Sequence, residues 1–385
     1  MYLAVEFARP IFRTIAHMQT TPSEQSGRRS VVFGGLASLL LLAGKSSSPS
    51  WAASTLVPST EWPGAAAESQ GISAPALEAV FASAGTVSAL RSLLVARNGF
   101  LVAERYYGGA TSAQLLPINS ATKSVCSILV GQAMAQGKLR SLSQTVGELL
   151  PDQAGKVPGS PASAVTLRQI LTGTTGLAYD YRTQLRPLAN SADPVQHVLG
   201  LHHDGRPANA WSYNDAAVSL LTPILERVQR LQLRELARRD LFAPLGIDEF
   251  SWSQDRGGSP TAYMGLQLKT RDLLKLAWVM ADGGQWGGGQ VIPSNWVTES
   301  LQPKVKGVWR NPPVVDSGYG YLWFTGALKG HEVAWAWGYG GQFAVVVPSL
   351  RLAIATAATS PPPQALATQT ESVMSLVGRI VEATT

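Results

Sequence analysis

Thiol chemistry is nearly absent from this chain, which has one cysteine, Cys126, in 385 residues. A lone thiol forms no internal disulfide and builds no multi-thiolate metal site, so Cys126 reads as a small apolar packing residue. There is no Gly-x-Ser-x-Gly elbow and no His-Glu-x-x-His pair, which removes the common nucleophile-elbow and zinc-protease patterns. His202-His203 lack the partners of a metal site or a triad and read as loop residues, and His331 reads as a surface residue. The glycine-rich stretch 283–289 has no preceding strand and no Lys-Ser/Thr, which argues against phosphate binding. Charged residues make up 15% of the chain, with a formal net charge of +6. Residues 1–52 hold Arg9, Arg13, Arg28, Arg29 and Lys45 against Glu6 and Glu24, leaving +3 for the rest, too little to argue for a nucleic-acid partner. Internal repeats and heptad seams are also missing.

Long apolar runs are absent too. The strongest, residues 31–43, is short for a bilayer span and follows Arg28-Arg29, with small residues at Ser50 and Ala52 in a small-x-small arrangement. Residues 1–52 therefore read as an export signal resembling a twin-arginine leader, with 53–70 as a linker. Gly27 and Val31-Val32 depart from the usual signal, and an uncleaved anchor is the alternative. The expected location is periplasmic or secreted, in a bacterium, with no stable membrane span in the mature chain.

What is present is a globular composition, 45% hydrophobic, large enough for one big domain or two intimate ones. Residues 72–84 read as an amphipathic helix. Residues 93–97 and 100–107, joined by Asn98-Gly99, predict a hairpin with a type I′ turn. Helical patterns fill 142–150, 167–171, 193–201, 216–228 and 232–241, with Asp193-Pro194 as a start signal and Pro223 as a kink. Another helix is expected over 270–280. Strands are expected over 319–324, 332–337, 341–347 and 352–357, before a closing helix over 365–383. Strands at both ends and helices between them predict a sheet domain (71–118 and 262–385) and a mainly helical domain (119–261), with a cleft where they meet.

The chemistry centres on Ser120-Ala121-Thr122-Lys123. Two side chains three positions apart on a helix share a face, so the amine can reach the hydroxyl. A serine is a weak nucleophile until a neighbour can take its proton. Of nine lysines only Lys123 has a serine three residues before it, and the following stretch is a buried-looking apolar helix that Gly137 ends. The plain alternative is that Ser120 caps that helix and Lys123 is solvated. A second proton carrier is offered by Tyr213, in Trp211-Ser212-Tyr213-Asn214-Asp215 ahead of a helix. A glycine-dense turn, Trp337-Gly338-Tyr339-Gly340-Gly341-Gln342, leads into an apolar strand and would let a substrate approach the backbone.

With Ser120-x-x-Lys123, the phrase Leu167 to Leu177, Tyr213-Asn214-Asp215 and Gly338 to Gln342 in that order, the chain resembles the serine β-lactamase and penicillin-recognising superfamily over roughly residues 72–380. The likeness is to its class C-like branch, with its esterases, D-aminopeptidase-like enzymes and 6-aminohexanoate-dimer hydrolases. The resemblance implies an α/β (α+β) fold of the β-lactamase/transpeptidase type, an antiparallel sheet flanked by helices plus a mainly helical domain. It also implies acyl transfer without metal or cofactor. Ser120 would attack a carbonyl, Lys123 and Tyr213 would share the proton traffic, and the N–H groups of Ser120 and Tyr339 would hold the oxyanion. Which of Lys123 and Tyr213 is the base stays open. Substrate contacts are expected from Tyr179, Asp215, Trp337, Gly338 and Gly340. Tyr179 has packing as its alternative, and Asp215 a helix cap.

Two departures shape the expected substrate. Asp215 stands where the β-lactamases usually have asparagine, and a carboxylate beside Lys123 would favour its ammonium and shift the base role toward Tyr213. The turn at 337–340 carries no cation where the β-lactamases place Lys-Thr-Gly, so a β-lactam carboxylate loses its anchor. An ester or linear amide, small or short and peptide-like, is therefore expected. A β-lactamase or D-alanyl-D-alanine peptidase is the enzymatic alternative, and a cleft-binding protein without turnover the other.

Overall fold

A tight turn starts the sheet. Asn98 and Gly99 take φ of +52° and +90°, the positive pair a type I′ turn needs, and they join β1 (Leu90–Arg97) to β2 (Phe100–Tyr106). The other strands come from the far end of the chain: β3 (Val305–Lys306), β4 (Val315–Tyr319), β5 (Phe324–Leu328), β6 (His331–Gly338), β7 (Gln342–Val347) and β8 (Leu352–Ala358). The computed structural model describes residues 62–207 and 209–385. In it these eight strands form one antiparallel sheet in the order β2-β1-β8-β7-β6-β5-β4-β3. Val95 stands opposite Ile354, so the two ends of the chain pair at β1 and β8.

β7 and β8 are buried at every position and β1 at all but Arg91, so both sheet faces need cover. The helix Thr270–Ala281 packs on β1, β7 and β8, and its Thr270 hydroxyl shares a 2.7 Å hydrogen bond with Ser92 of β1. The helices Ala74–Ala84 and Leu366–Glu382 pack on each other, the first also against β1. The described residues thus show the expected mixed α/β class, an antiparallel sheet flanked by helices with a mainly helical stretch between its two groups of strands.

Several elements differ from the sequence reading for visible reasons. The helix expected over 216–228 is two, Asp215–Ser219 and Leu221–Gln229. Pro223 has no N–H for the Ser219 carbonyl and its ring crowds that oxygen, so the helix is interrupted one residue later, at Leu220. The strand expected over 319–324 is the corner between β4 and β5. Tyr321, Leu322 and Trp323 are buried there because Leu322 N–H donates to the Leu171 carbonyl (2.8 Å) and Ser124 Oγ to the Leu322 carbonyl (2.6 Å), wedging the corner against the helices. The helix Tyr181–Ala189, capped by the Asp180 side chain, was hidden by Pro187 inside it. The leader expected over 1–52 lies outside the described residues. Of the stretch expected as linker, 62–70 runs beside β2, with Leu101 N–H donating to the Pro63 carbonyl (2.9 Å) and Ala65 N–H to the Leu101 carbonyl (3.1 Å). Among the described residues no helix is long and apolar enough to cross a membrane.

The helix Thr122–Ala135 is buried from Thr122 through Ala133. Its Gly131 lies under the Trp296 ring so closely that a Cβ would collide with it. Gly131→Ala is therefore expected to lower stability by about 1–3 kcal/mol despite the better helix propensity of alanine. A denaturant melt checks it, and an unchanged midpoint would contradict the packing described.

Candidate active site

The start of the Thr122–Ala135 helix places Ser120. Asn119 takes the left-handed conformation (φ +49°), which asparagine tolerates, and a 3₁₀ turn over Asn119–Ala121 then feeds the helix. No side chain caps either turn. Ser120 is half-buried and Lys123 only 3% exposed, so the plain alternative of a capping serine and a solvated lysine is not what forms.

Lys123 Nζ meets three acceptors: Asp215 Oδ1 at 2.6 Å, the Tyr213 hydroxyl at 2.8 Å and the Tyr263 carbonyl at 2.8 Å. An ammonium has three N–H bonds, and all three are used. The Tyr213 hydroxyl also faces the Ser120 side chain, so the phenol stands between serine and lysine. Burial holds the Tyr213 phenol well above its usual range; the Asp215 carboxylate adds to this and the Ser120 side chain opposes it. At rest Tyr213 is a neutral phenol.

Local sequence explains why Asp215 can turn toward Lys123. The helix cap is Asn214, whose Oδ1 accepts from Ala217 N–H (2.9 Å) while its Nδ2 donates to the Leu177 carbonyl (3.1 Å). Asp215 is then the first helical residue, not the cap, and its carboxylate is free. Tyr179 donates to its other oxygen, Oδ2, at 3.1 Å. Burial and the neighbouring carboxylate push the Tyr179 phenol up, keeping it a donor. Tyr179 and Asp215, expected as substrate contacts, are thus both buried beneath Lys123.

The facing wall is the turn from β6 to β7. Gly338 lies so close to the Ile118 carbonyl that no side chain fits, and Gly340 (φ +90°) and Gly341 (φ +100°) take the positive φ that glycine adopts without strain. Asn119 Nδ2 donates to the Tyr339 carbonyl (3.0 Å) and Gln369 Nε2 to the Gly340 carbonyl (2.8 Å), tying the turn to the residue before Ser120 and to the closing helix. Among the described residues, neither the Ser120 nor the Tyr339 N–H is donated to another backbone carbonyl. Trp337 is half-buried, its ring edge-on to Phe324 (centroids 4.8 Å). The sequence reading missed Asn119, the Tyr263 carbonyl and Trp309. Only Asn119, next to Ser120, left any signal, and a backbone acceptor leaves none. Among the described residues no three His, Cys, Asp or Glu cluster as metal ligands. His203 Nδ1 faces the Gly176 carbonyl at 3.2 Å.

The sequence profile described as Beta-lactamase matches residues 81–378, and the chain belongs to the beta-lactamase family. A 6-aminohexanoate-dimer hydrolase of Paenarthrobacter ureafaciens is 28% identical, over 54% of this chain and 56% of that protein. The chain thus matches little more than half the length of that curated relative. In structure the chain is similar to a candidate 6-aminohexanoate-dimer hydrolase of Bacillus anthracis (TM-score 0.67, 16% identity, 85% of this chain and 88% of that one). It is also similar to a D-stereospecific amidohydrolase of a Streptomyces species (TM-score 0.57, 18% identity, 80% and 96%). At such identities these two structures speak to the fold.

A buried ion pair that loses one partner leaves a desolvated charge behind. Asp215→Asn is expected to cost roughly 3–5 kcal/mol in a urea melt, and Lys123→Met/Asp215→Leu, which removes both charges, less than that. A single variant as stable as the parent would contradict the closed pair described here.

Proposed function

We propose that this chain is a serine hydrolase that cleaves a carboxylic ester or amide through an acyl-Ser120 intermediate. The observation that carries the reading is the position of the Tyr213 hydroxyl, beside the Ser120 side chain on one side and 2.8 Å from Lys123 Nζ on the other. A neutral phenol can accept a proton only by passing on its own. As Ser120 Oγ bonds to the carbonyl carbon, its proton moves to Tyr213. Lys123 first gives a proton to Asp215 Oδ1, and the lone pair this frees turns to take the Tyr213 proton as Tyr213 takes that of Ser120. The relay ends with Lys123 still an ammonium and Asp215 a neutral acid, so the pair has gained one proton and one positive charge, matched by the negative charge on the tetrahedral oxyanion. Collapse of the tetrahedral adduct breaks the bond to the leaving group, which receives that proton back through Tyr213. Water repeats the sequence on the acyl-enzyme and frees Ser120. The Ser120 and Tyr339 N–H groups are the donors proposed for the oxyanion.

The substrate class rests on two supports. The turn Trp337-Gly338-Tyr339-Gly340 offers no cation to a β-lactam carboxylate. The curated relative named above is a 6-aminohexanoate-dimer hydrolase. A small or short peptide-like ester or amide is the proposed substrate, and Trp337, Gly338 and Gly340 are the proposed contacts on the turn side. Membership of the beta-lactamase family keeps β-lactam hydrolysis as the second reading. Export remains part of the proposal, on the strength of Arg28-Arg29 and the apolar run after them.

Nitrophenyl esters, linear oligoamides and nitrocefin, offered in parallel to the purified chain, test the reading. Ester or linear-amide turnover is expected, lost in Ser120→Ala and reduced about 10²–10⁴-fold in Tyr213→Phe with the fold intact by circular dichroism. Fast nitrocefin turnover without ester or amide cleavage would reverse the order of the readings. A Ser120→Ala variant with every activity intact would end the acyl-serine reading.

A further inference from the structure

The loop between β3 and β4 carries Trp309, an exposed large apolar side chain (37% exposed) that no catalytic step above uses. Its neighbours in the chain are anchored: Val308 and Asn311 are buried, so the indole is held out deliberately rather than frayed. The ring lies nearly flat on Tyr213, with centroids 4.5 Å apart and planes 27° from parallel. It also meets Tyr181 edge-on (5.6 Å) and Trp211 (5.4 Å) on the helical side, and Trp337 (6.2 Å) on the sheet side. Trp309 therefore spans the two walls directly over the phenol that moves the proton. Among the described residues, the one cation seated on these rings is Lys123, whose three N–H groups are already engaged.

Trp309 is not an isolated exposed side chain but the open edge of a contiguous aromatic cluster with Tyr181, Trp211, Tyr213 and Trp337, and an apolar patch of that kind on a cleft marks a place where an apolar group binds. Trp309 stacks on Tyr213, so a chain on the carbonyl at Ser120 that leaves past Tyr213 meets the free part of the Trp309 surface. We infer that Trp309 is a specificity-determining residue, forming the apolar wall that receives an uncharged alkyl or aryl acyl chain of the substrate. The inference rests on the acyl-serine reading above and adds the chemical class of the acyl group. It differs from a purely structural role for Trp309, which would hold Tyr213 in place and affect all substrates alike.

Comparing chain lengths separates the two. Nitrophenyl acetate and nitrophenyl octanoate are turned over by the parent, Trp309→Ala and Trp309→Phe. In parallel, Ser120 labelling by a short-chain and a long-chain alkyl fluorophosphonate is timed by intact mass. The expected result is that Trp309→Ala lowers the octanoate-to-acetate ratio of kcat/KM about tenfold, largely through KM, in line with what apolar pocket contacts contribute to selectivity. Trp309→Phe recovers most of the ratio, and the labelling rates follow the same pattern. Equal loss for both chain lengths, or no change in the ratio, would overturn the inference while leaving the acyl-serine reading standing. A parent chain that turns over neither ester and is labelled by neither reagent would overturn both.

Discussion

A buried lysine amine with three acceptors organises this cleft. Lys123 sits on a helix that is inaccessible to solvent along most of its length, so whatever meets its nitrogen must come from elsewhere in the fold. Asp215 comes from the start of a helix, Tyr213 from the segment just before it, and the Tyr263 carbonyl from the approach to the next layer. Satisfying one amine thereby draws two separate segments, 213–215 and the one at Tyr263, to the face where Ser120 stands. The cost of leaving such a group unpaired in a dry interior is several kcal/mol, which is why the convergence is rigid rather than optional.

The opposite wall answers a different constraint, the close approach of backbone to backbone. Gly338 packs against the Ile118 carbonyl where no side chain fits, and Asn119 reaches across to the Tyr339 carbonyl. The same short stretch therefore sets Ser120 and fixes the turn that faces it. The sheet supplies the stiffness: β6 and β7 are paired in register from Ala334 and Val346 down to Gly338 and Gln342, so the turn hangs from a ladder rather than a loose loop. Gln342 adds a clamp to β8, where its side chain exchanges hydrogen bonds with both backbone groups of Ala358.

Much of this was legible in the chain, and what was not shares a physical cause. Asn98-Gly99, Asp193-Pro194 and the apolar runs of β7 and β8 carry local signals, because turn chemistry and burial act over a few residues. Ser120 and Lys123 were readable for the same reason, three residues on one helix. Tyr213 was readable only through its motif, and its hydrogen bonds could not be known before the fold closed. Asp215 as a lysine partner rather than a cap depended on Asn214 taking the cap, a choice between adjacent residues that both cap well. The corner at 320–323 was misread because burial between layers produces the same apolar run as a strand. The Tyr263 carbonyl and the seat of Trp309 on Tyr213 left no trace, since a backbone oxygen has no residue type and a ring stack between positions 96 apart is purely tertiary.

The central claim is covalent: the carbonyl group of the substrate is carried for a time on Ser120. Rapid acid quench of the parent chain during turnover of an activated ester, followed by intact mass and peptide mapping, tests it most directly. The account expects an added acyl mass on the peptide containing Ser120, formed in a burst and decaying as substrate is exhausted. Turnover with no adduct at any time, or with the acyl group on another residue, would contradict it.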